Sequence, residues 1–283
     1  FISANESYHG KTLGALSVTD TENFSDGFLL GLPKENTIKI PFNDIQSYKE
    51  IISKLKKEKI IALIVEPIQG QIIEPANEKY LKEICEISKK NDITVIFDEI
   101  KCGLGRSGNI CSFMEYECVP DIVTTSKALG GGKNAISAMI ASKKIFNKAY
   151  GSINKSTLHT TTFFGLGEGC ATAIETLNIV SDKNFLDQIK SKSEKTFKAL
   201  NKLREKYPKY IKSIKGKGLF IGIEFDFDNI ISNFTFKKIK IPFIKNIKTV
   251  LMGSLIREFL HEHKVLLHFT NAQPETLVFL PPL

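Results

Sequence analysis

Tryptophan is absent from this 283-residue sequence, and it has only three methionines and five cysteines. The cysteines are odd in number and lie far apart, at Cys85, Cys102, Cys111, Cys118 and Cys170. This pattern excludes a disulfide framework and is typical of a reducing compartment, so we predict a cytoplasmic protein. No apolar run is long enough to span a membrane. The opening FISANESYHGK lacks the basic and apolar regions of a secretion signal.

Signals for nucleic-acid or metal binding are also scarce. The net charge is +8, but the lysines alternate with isoleucine and asparagine throughout the chain, which is typical of solvated lysine faces. No helix-turn-helix, zinc-finger or RNA-binding pattern accompanies the charge. His261 and His263 are two residues apart on a predicted helix and would point to different faces. We therefore predict small-molecule partners, with no nucleic acid, membrane or metal partner.

A hydrophobic fraction of 42% and a charged fraction of 25% indicate a globular protein. Its first half has three short apolar runs that end in polar residues, 60–67, 93–100 and 121–129. Such runs are typical of strands buried on both faces of a parallel sheet. Residues 76–92, between the first two, have apolar side chains at helical spacing. Strand, helix and strand form a βαβ unit, which predicts an α/β fold.

Further elements are predicted along the rest of the chain. Strands are expected at 135–142, 264–269 and 275–280, and helices at 165–182, 184–207 and 249–263. The glycine-rich apolar stretch 215–227 begins a second, smaller unit. We predict two domains, a large one over 1–183 and a small C-terminal one over 184–283.

Polar residues fall where the three buried strands end. In open α/β sheets the ligand binds beyond the carboxyl ends of the strands, and Glu66, Asp98 and Lys127 each lie at such an end. A lysine amine on rigid apolar scaffolding is suited to forming a Schiff base. A nearby aspartate suits the protonated ring nitrogen of pyridoxal phosphate (PLP). The neighbouring Glu99 points the other way by strand alternation, which favours Asp98.

Two motifs around these residues resemble class III (omega) PLP-dependent aminotransferases. They are DEI-x-x-G-x-GR-x-G at 98–108 and SKALGGG at 126–132. The resemblance continues, in the family's order, in SYHGKTLGALS at 7–17, VEPIQG at 65–70, LHTTTF at 158–163, KGKGLFIGIEF at 215–225 and PPL at 281–283. Several motifs in order are more specific than any one of them. The sequence is most similar in appearance to putrescine and diamine aminotransferases.

The resemblance implies a fold and an assembly. The expected fold is the PLP-dependent transferase fold (aspartate-aminotransferase-like, fold type I), an α/β fold with a mixed, mostly parallel sheet and a smaller α+β C-terminal domain. The family has a phosphate-binding segment before the point where this sequence begins, and its chains continue beyond PPL. The chain is therefore expected to be part of a longer polypeptide, with segments missing from both domains. A homodimer is also implied.

The resemblance further implies roles for individual residues. Lys127 is expected to form the Schiff base and Asp98 to pair with the pyridinium nitrogen. Tyr8 and His9 match the family's aromatic-His-Gly segment, whose aromatic ring stacks on the cofactor. Thr162 corresponds to the threonine that reaches the cofactor phosphate of the partner subunit. Glu66 corresponds to a strand-end glutamate near the cofactor, for which a structural hydrogen-bonding role is equally expected.

Three positions depart from the family pattern. Lys101 replaces a glutamine that contacts the phenolic oxygen of the cofactor. Gln71 replaces a glutamate, and Val278 replaces an arginine that grips the substrate carboxylate and pairs with that glutamate. An apolar, neutral site cannot clamp a carboxylate bidentately. We therefore expect transfer between a terminal amine, or an ω-amino compound, and an aldehyde or oxo acid.

Alternative functions remain open. Another PLP chemistry on the same fold, such as that of an aminomutase or racemase, would use the same Asp98 and Lys127. A catalytically silent module is a second alternative, favoured by Lys101. The GLGRSG run at 103–108 matches a dinucleotide-binding pattern, but two acidic residues end the preceding strand and no good helix start follows. That alternative is disfavoured.

Overall fold

The computed structural model describes residues 1–21, 24–55, 59–234 and 244–283. Its strands are β1 (Ile2–Ala4), β2 (Ile38–Ile40), β3 (Ala62–Val65), β4 (Ile68–Gln69), β5 (Glu74–Pro75), β6 (Thr94–Asp98), β7 (Ile122–Thr125), β8 (Ala138–Ala141), β9 (Ile211–Lys217), β10 (Phe220–Phe225), β11 (His268–Phe269) and β12 (Thr276–Phe279). Its helices are α1 (Leu13–Val18), α2 (Ile45–Lys54), α3 (Glu78–Lys90), α4 (Lys143–Tyr150), α5 (Gly167–Ser181), α6 (Lys183–Lys206), α7 (Phe227–Phe234) and α8 (Ile244–His263).

A six-stranded sheet in the order β2-β1-β3-β6-β7-β8 organises the N-terminal part. Pairing is parallel from β2 through β7, whereas β8 pairs antiparallel to β7. Because the parallel strands share one direction, β1, β3, β6 and β7 all end at the same edge. The sheet is thus mixed and mostly parallel, as the sequence predicted, and its carboxyl edge collects the residues that follow four strands.

One face of this sheet is covered by α2 and α3. Tyr48 of α2 and Tyr80 of α3 are fully buried with Phe97 of β6. The Tyr48 hydroxyl lies 2.6 Å from Ser88 Oγ, so the only polar atom of a buried ring is satisfied by the neighbouring helix. Helix α3 begins at Asn77, whose side chain accepts from Tyr80 N. This packing fixes the strands whose ends form the site.

The C-terminal part contains a four-stranded antiparallel sheet in the order β11-β12-β10-β9. Helix α6 packs on β9, and α8 contributes the buried Met252 to the core between them. Helices α5 and α6 meet at Asp182, whose carboxylate caps α6 by accepting from Phe185 N at 2.8 Å. The domain boundary at 183 stays a prediction, next to this helix break.

The sequence predicted β3, β6, β8, β12 and the long helices close to their observed bounds, but it extended one strand too far. The run 121–129 was expected to be strand throughout, whereas β7 ends at Thr125 and residues Lys127–Gly130 form a 3-10 turn. Lys127 has φ +45°, which no strand residue adopts. The predicted strand 264–269 is likewise reduced to His268–Phe269. Among the described residues no helix is both long and apolar enough to cross a membrane.

Candidate active site

A cavity of about 550 Å³ opens at the carboxyl edge of the six-stranded sheet. Seven residues predicted from the sequence line it, namely Tyr8, His9, Glu66, Gln71, Asp98, Lys101 and Lys127. Six of them lie at or after the ends of β1, β3, β6 and β7, strands that are neighbours in the sheet, and Gln71 follows β4. Parallel pairing therefore brings together side chains that are up to 119 residues apart, from Tyr8 to Lys127 (127 − 8 = 119).

Asp98 forms a buried pair with His9. The distance from His9 Nδ1 to Asp98 Oδ2 is 2.9 Å, and both side chains are almost fully shielded from solvent. The other carboxylate oxygen accepts from Ile100 N at 3.1 Å. His9 is itself held by its backbone N–H, which donates to Thr19 Oγ1 at 2.9 Å. The carboxylate is thus fixed in orientation at the inner end of the cavity.

The neighbouring Glu99 lies on the opposite side of the strand. Its carboxylate accepts from Ser112 N and Phe113 N, both at 2.9 Å, and from the Cys102 thiol at 3.3 Å. Burial raises the pKa of Glu99, and these donors oppose the rise. Strand alternation predicted this separation, and it leaves Asp98 as the carboxylate of β6 that faces the cavity.

Lys127 enters the cavity from a strained backbone. It begins the 3-10 turn after β7 with φ +45°, a left-handed conformation that costs free energy for a residue with a side chain. Burial lowers the pKa of its amine, whereas Asp98 and Glu66 act in the opposite direction. A larger share of neutral amine is therefore present than on a surface lysine, as a nucleophile or base requires.

Glu66 ties two chain segments together. One carboxylate oxygen accepts from Tyr8 N at 3.1 Å and the other from Gly70 N at 2.9 Å. Burial raises the pKa of Glu66, and the proximity of His9 opposes this. The structure thus shows the hydrogen-bonding role that the sequence left open, since Glu66 fixes the backbone that carries Tyr8. The Tyr8 ring packs edge-on against Phe24, with centroids 5.5 Å apart.

Lys101 extends across the same cavity toward the C-terminal part. Its Nζ donates to Gly70 O at 2.7 Å and lies 5.0 Å from the centroid of the Phe220 ring. Burial lowers the pKa of Lys101 to about 8; Glu66 opposes this effect and Lys127 adds to it. A Cβ at Gly70 would lie 3.0 Å from both Glu66 Oε1 and Lys101 Cδ, so a side chain there would force these groups to shift.

Two predicted site residues lie outside the cavity. Thr162 is exposed in the segment between α4 and α5, and its role toward a partner subunit stays a prediction. Val278 is buried on β12 and packs with Ile68, Ile73 and Phe220 rather than lining the cavity. The position of the family arginine therefore contributes neither charge nor surface to the cavity of this chain.

Sequence analysis missed His268, Ser126 and Ser137, which also line the cavity. Ser126 and Ser137 flank the turn that carries Lys127. Ser126 belongs to the SKALGGG motif and Ser137 to the predicted strand 135–142, and neither was identified as a site residue. His268 comes from β11, where it pairs with Val278 of β12. Only the register of this two-residue strand brings it to the cavity, and no sequence spacing signals that.

The loop formed by the GLGRSG run at 103–108 has a structural role. Gly105 has φ +87° and faces Leu283 and α6, and Arg106 Nη1 donates to the carbonyl of Pro281. The loop therefore joins the two parts of the chain, whereas a dinucleotide site would need it to open a helix. Within the described ranges no group of three or more potential metal ligands is present.

The cavity residues suit two groups of PLP, its ring nitrogen and its carbonyl. A buried carboxylate fixed by His9 suits a protonated pyridine nitrogen, and the Lys127 amine with its lowered pKa suits a carbonyl partner. Among the residues that the structure describes, the buried Nε2 of His9 has no hydrogen-bond partner, so a polar ligand atom could bind at this end of the cavity.

The comparisons with known proteins agree with this geometry. The class-III aminotransferase family model matches residues 1–265. The acetylornithine aminotransferase of Clostridium acetobutylicum is 39% identical over 224 residues, 78% of this chain and 54% of that protein. The mitochondrial acetylornithine aminotransferase of Debaryomyces hansenii is 40% identical over 228 residues, 79% of this chain and 46% of that protein. The chain therefore spans about half the length of these relatives.

Solved structures give the same result. An ornithine aminotransferase from Toxoplasma gondii, crystallised with partial occupancy of PLP at its active site, superposes with a TM-score of 0.77 at 27% identity. The match covers 99% of this chain and 59% of that one. The predicted family and fold are confirmed: the chain belongs to the class-III aminotransferases, a PLP-dependent family.

Proposed function

We propose that the protein is a PLP-dependent aminotransferase in which Lys127 is the reactive lysine. The observation that carries this proposal is the convergence of Lys127 and the His9–Asp98 pair on one cavity. A lysine of lowered pKa facing a fixed buried carboxylate is the arrangement that PLP chemistry needs. The alternatives of an aminomutase, a racemase or a silent module use the same scaffold, so an assay must separate them.

PLP, when bound, acts as the electron sink for the substrate carbon that bears the amino group. The chain's own residues would hold and serve it. Asp98 would keep the ring nitrogen protonated, and His9 keeps the carboxylate oriented. The Tyr8 ring, carried by a backbone that Glu66 fixes, offers a stacking face. The Lys127 amine would hold the cofactor, and it is placed to take up the proton from the substrate carbon.

The substrate we propose is a terminal amine or an ω-amino compound, with an aldehyde or oxo acid as acceptor. Val278 is buried away from the cavity, and Gln71 is neutral. The arginine clamp for a carboxylate next to the reacting carbon is therefore missing at that position. Relatives named for acetylornithine and ornithine support an amine donor of this kind.

We propose a homodimer in which Thr162 serves the partner's site. Thr162 is exposed between Leu158 and Phe163, two apolar side chains that are also exposed. An apolar, solvent-facing segment is suited to an interface. The cytosol is the proposed compartment, since all five cysteines are free thiols. The relative from Debaryomyces hansenii is named as mitochondrial, and free cysteines fit that location equally.

The test is a transamination assay on the full-length protein loaded with PLP. Putrescine or another terminal amine is offered with an oxo acid, and both the aldehyde and the new amino acid are quantified. The Lys127→Ala variant should lose at least about three orders of magnitude in kcat, while Lys133→Ala, in the same glycine-rich turn, serves as the matched control. Retained turnover in Lys127→Ala would refute the proposal. Isomerised or racemised substrate without transfer to the acceptor would favour the alternative chemistries.

A further inference from the structure

Two lysine amines share the active-site cavity. Lys127 follows β7 and Lys101 follows β6, the neighbouring strand, and both side chains line the same space. Lys127 is the reactive lysine of the proposed function, whereas no step of that reaction uses Lys101. An ammonium group in a largely shielded place is costly, and a neutral side chain could fill the same position.

The Lys101 amine is held in place by the chain. Its Nζ donates to Gly70 O at 2.7 Å and lies 5.0 Å from the centroid of the Phe220 ring. Both oxygens of Glu66, a nearby carboxylate, accept backbone N–H groups, from Tyr8 and Gly70. In the part of the chain that the structure describes, no carboxylate forms an ion pair with Lys101 Nζ. The positive charge of Lys101 is therefore directed at the cavity rather than cancelled within a pair.

The two amines act on each other through the cavity. Burial lowers the pKa of both, while Glu66 and Cys102 oppose the effect at both and Asp98 opposes it at Lys127. The charge of Lys127 lowers the pKa of Lys101 further. Because repulsion between two ammonium groups is mutual, a charged Lys101 favours the neutral form of Lys127 to the same extent. The other titratable residues that line the cavity are Tyr8, His9 and His268.

We infer that Lys101 is a positioning residue that acts through Lys127, because its fixed positive charge keeps the Lys127 amine neutral and ready to attack a carbonyl group. This inference rests on the proposed function, in which Lys127 is the reactive lysine. A second cation beside a lysine is one way in which proteins obtain a reactive amine. The neutral glutamine that Lys101 replaces in the family pattern could not act in this way, so the effect would be particular to this chain.

Lys101 itself sets a pH limit on the effect. Burial lowers its pKa to about 8, so the side chain is mostly charged near pH 7 and mostly neutral near pH 9. Its influence on Lys127 should therefore be large at the lower pH and small at the higher one. Arginine stays charged at both and should preserve the influence at both. Glutamine has an amide donor for Gly70 O but no charge, and should remove the influence at both.

The test measures the reactivity of Lys127 in the full-length protein before PLP is added. Lys127 is exposed within the cavity, so a small reagent can reach it. A pulse of acetic anhydride labels neutral amines, and mass spectrometry quantifies the label at Lys127 relative to that at Lys148 on the exposed α4. Lys101→Gln should lower this ratio by about ten-fold at about pH 7 and by less than about two-fold at about pH 9.

Lys101→Arg is the conservative variant. It should match wild type at the lower pH and exceed it by about two-fold or more at the higher pH, where wild-type Lys101 has lost its charge. Lys133→Gln, in the glycine-rich turn beside Lys127 but outside the cavity lining, removes the same charge and is the matched control. It should keep the wild-type ratio at both pH values.

Equal labelling of Lys127 in wild type and Lys101→Gln at the lower pH would overturn the inference. A deficit of the same size at both pH values would also overturn it, because altered access or packing does not depend on the charge of Lys101. Circular dichroism checks the folding of each variant. If Lys101→Gln does not fold, Lys101→Arg decides, since a failure to exceed wild type at the higher pH contradicts the inference by itself.

Cofactor uptake and turnover separate this inference from the proposed function. The rate at which the protein takes up PLP, followed by absorbance, should fall in Lys101→Gln at the lower pH and recover at the higher one. If Lys127 labelling depends on the charge at position 101 but wild type transfers no amino group, the inference stands and the proposed function fails. If transfer requires Lys127 but its labelling does not respond to Lys101, the function stands and the inference fails.

Discussion

At the scale of single residues, the site is built from side chains held in costly states. Lys127 occupies a left-handed backbone conformation, and Glu66 and Asp98 are carboxylates in a nearly dry environment. The cost of burying the two carboxylates is offset locally, since each accepts hydrogen bonds on both oxygens. Strain that is compensated in this way is typical of functional sites, where rigid placement of charge is needed before the ligand arrives.

The two hydrogen bonds of Glu66 predict the effect of a single atom exchange. Glu66→Gln replaces one acceptor oxygen by an NH₂ group that faces a backbone N–H, from either Tyr8 or Gly70. We expect a loss of about 1–3 kcal/mol in the free energy of unfolding, measured with urea. Glu50→Gln, in the exposed pair with Lys54, should change it by less than about 0.5 kcal/mol. Equal effects of the two substitutions would show that Glu66 does not support the backbone.

Lys39 predicts a pH dependence of stability. Its amine donates to Ser3 Oγ at 2.9 Å and Thr19 O at 3.1 Å. Burial lowers the pKa of Lys39 to about 8, with Asp20 opposing, against 10.5 for an ordinary lysine. Between these values the unfolded chain binds more protons than the folded one, so stability contributed by Lys39 rises with pH.

The measurement compares wild type with Lys39→Met by urea unfolding at about pH 7 and about pH 9.5. The stability of wild type relative to the variant should be greater at the higher pH. Lys54→Met, an exposed position on α2, should show no such change. A difference that shrinks or stays constant with pH would mean that the Lys39 amine does not titrate in this window.

At the scale of elements, the two parts of the chain join through glycines. Gly218, in the turn between β9 and β10, has φ +62°, and a Cβ there would lie 2.2 Å from Arg106 O. Gly218→Ala should therefore destabilise the protein by at least about 2 kcal/mol through backbone strain and the clash. At Gly253, on α8, none of the described residues lies within 4 Å of an added Cβ. Gly253→Ala should instead stabilise by about 0.5–1 kcal/mol in thermal unfolding.

If Gly218→Ala unfolds at the wild-type temperature, the contact between the glycine-rich loop and this turn is not what holds the two parts together. The Gly253→Ala control shows that the assay responds to a glycine substitution in either direction, so a null result would not reflect poor sensitivity.

The elements also show what sequence could and could not predict. Buried strands such as β3 and β6 are continuous apolar runs, and the polar residues at their ends were predicted correctly to lie together, namely Glu66 and Asp98. The three-residue strands β1 and β2 are too short for a periodic signal and were not predicted. His268 escaped prediction because its placement depends on tertiary pairing with β12. Lys127 was identified by its motif, but its turn was predicted as strand. The apolar composition of the segment favours a strand, whereas the left-handed backbone at Lys127 ends it.

At the scale of the whole molecule, several large apolar side chains are exposed to solvent. Phe163 and Phe164, beside Thr162, are 77% and 75% exposed, and Met139 and Ile140 of β8 are exposed as well. Exposed apolar side chains that cluster together are typical of association surfaces. This exposure supports the proposed homodimer, in which each site would combine Lys127 from one subunit with Thr162 from the other.

Mixed dimers test this arrangement. Lys127→Ala abolishes the reactive amine, and Thr162→Val removes the hydroxyl that would bind the cofactor phosphate of the partner. If Thr162 acts across the interface, a dimer of one Lys127→Ala subunit and one Thr162→Val subunit contains one intact site and one doubly defective site. Mixing the two inactive or weakened proteins under conditions of subunit exchange should then restore activity toward about a quarter of wild type at equal mixing, since half of the dimers are mixed and each has one working site.

The control mixes Lys127→Ala with Lys127→Ala,Thr162→Val, in which no site regains a lysine. If Thr162 acts within its own subunit, the mixed dimer has one site without the amine and one without the hydroxyl, and mixing restores nothing beyond the residual activity of Thr162→Val. Sedimentation velocity of the same samples shows whether dimers form at all. A monomer that keeps its cofactor and its full activity would contradict the composite site, because Thr162 lies outside the cavity of its own chain.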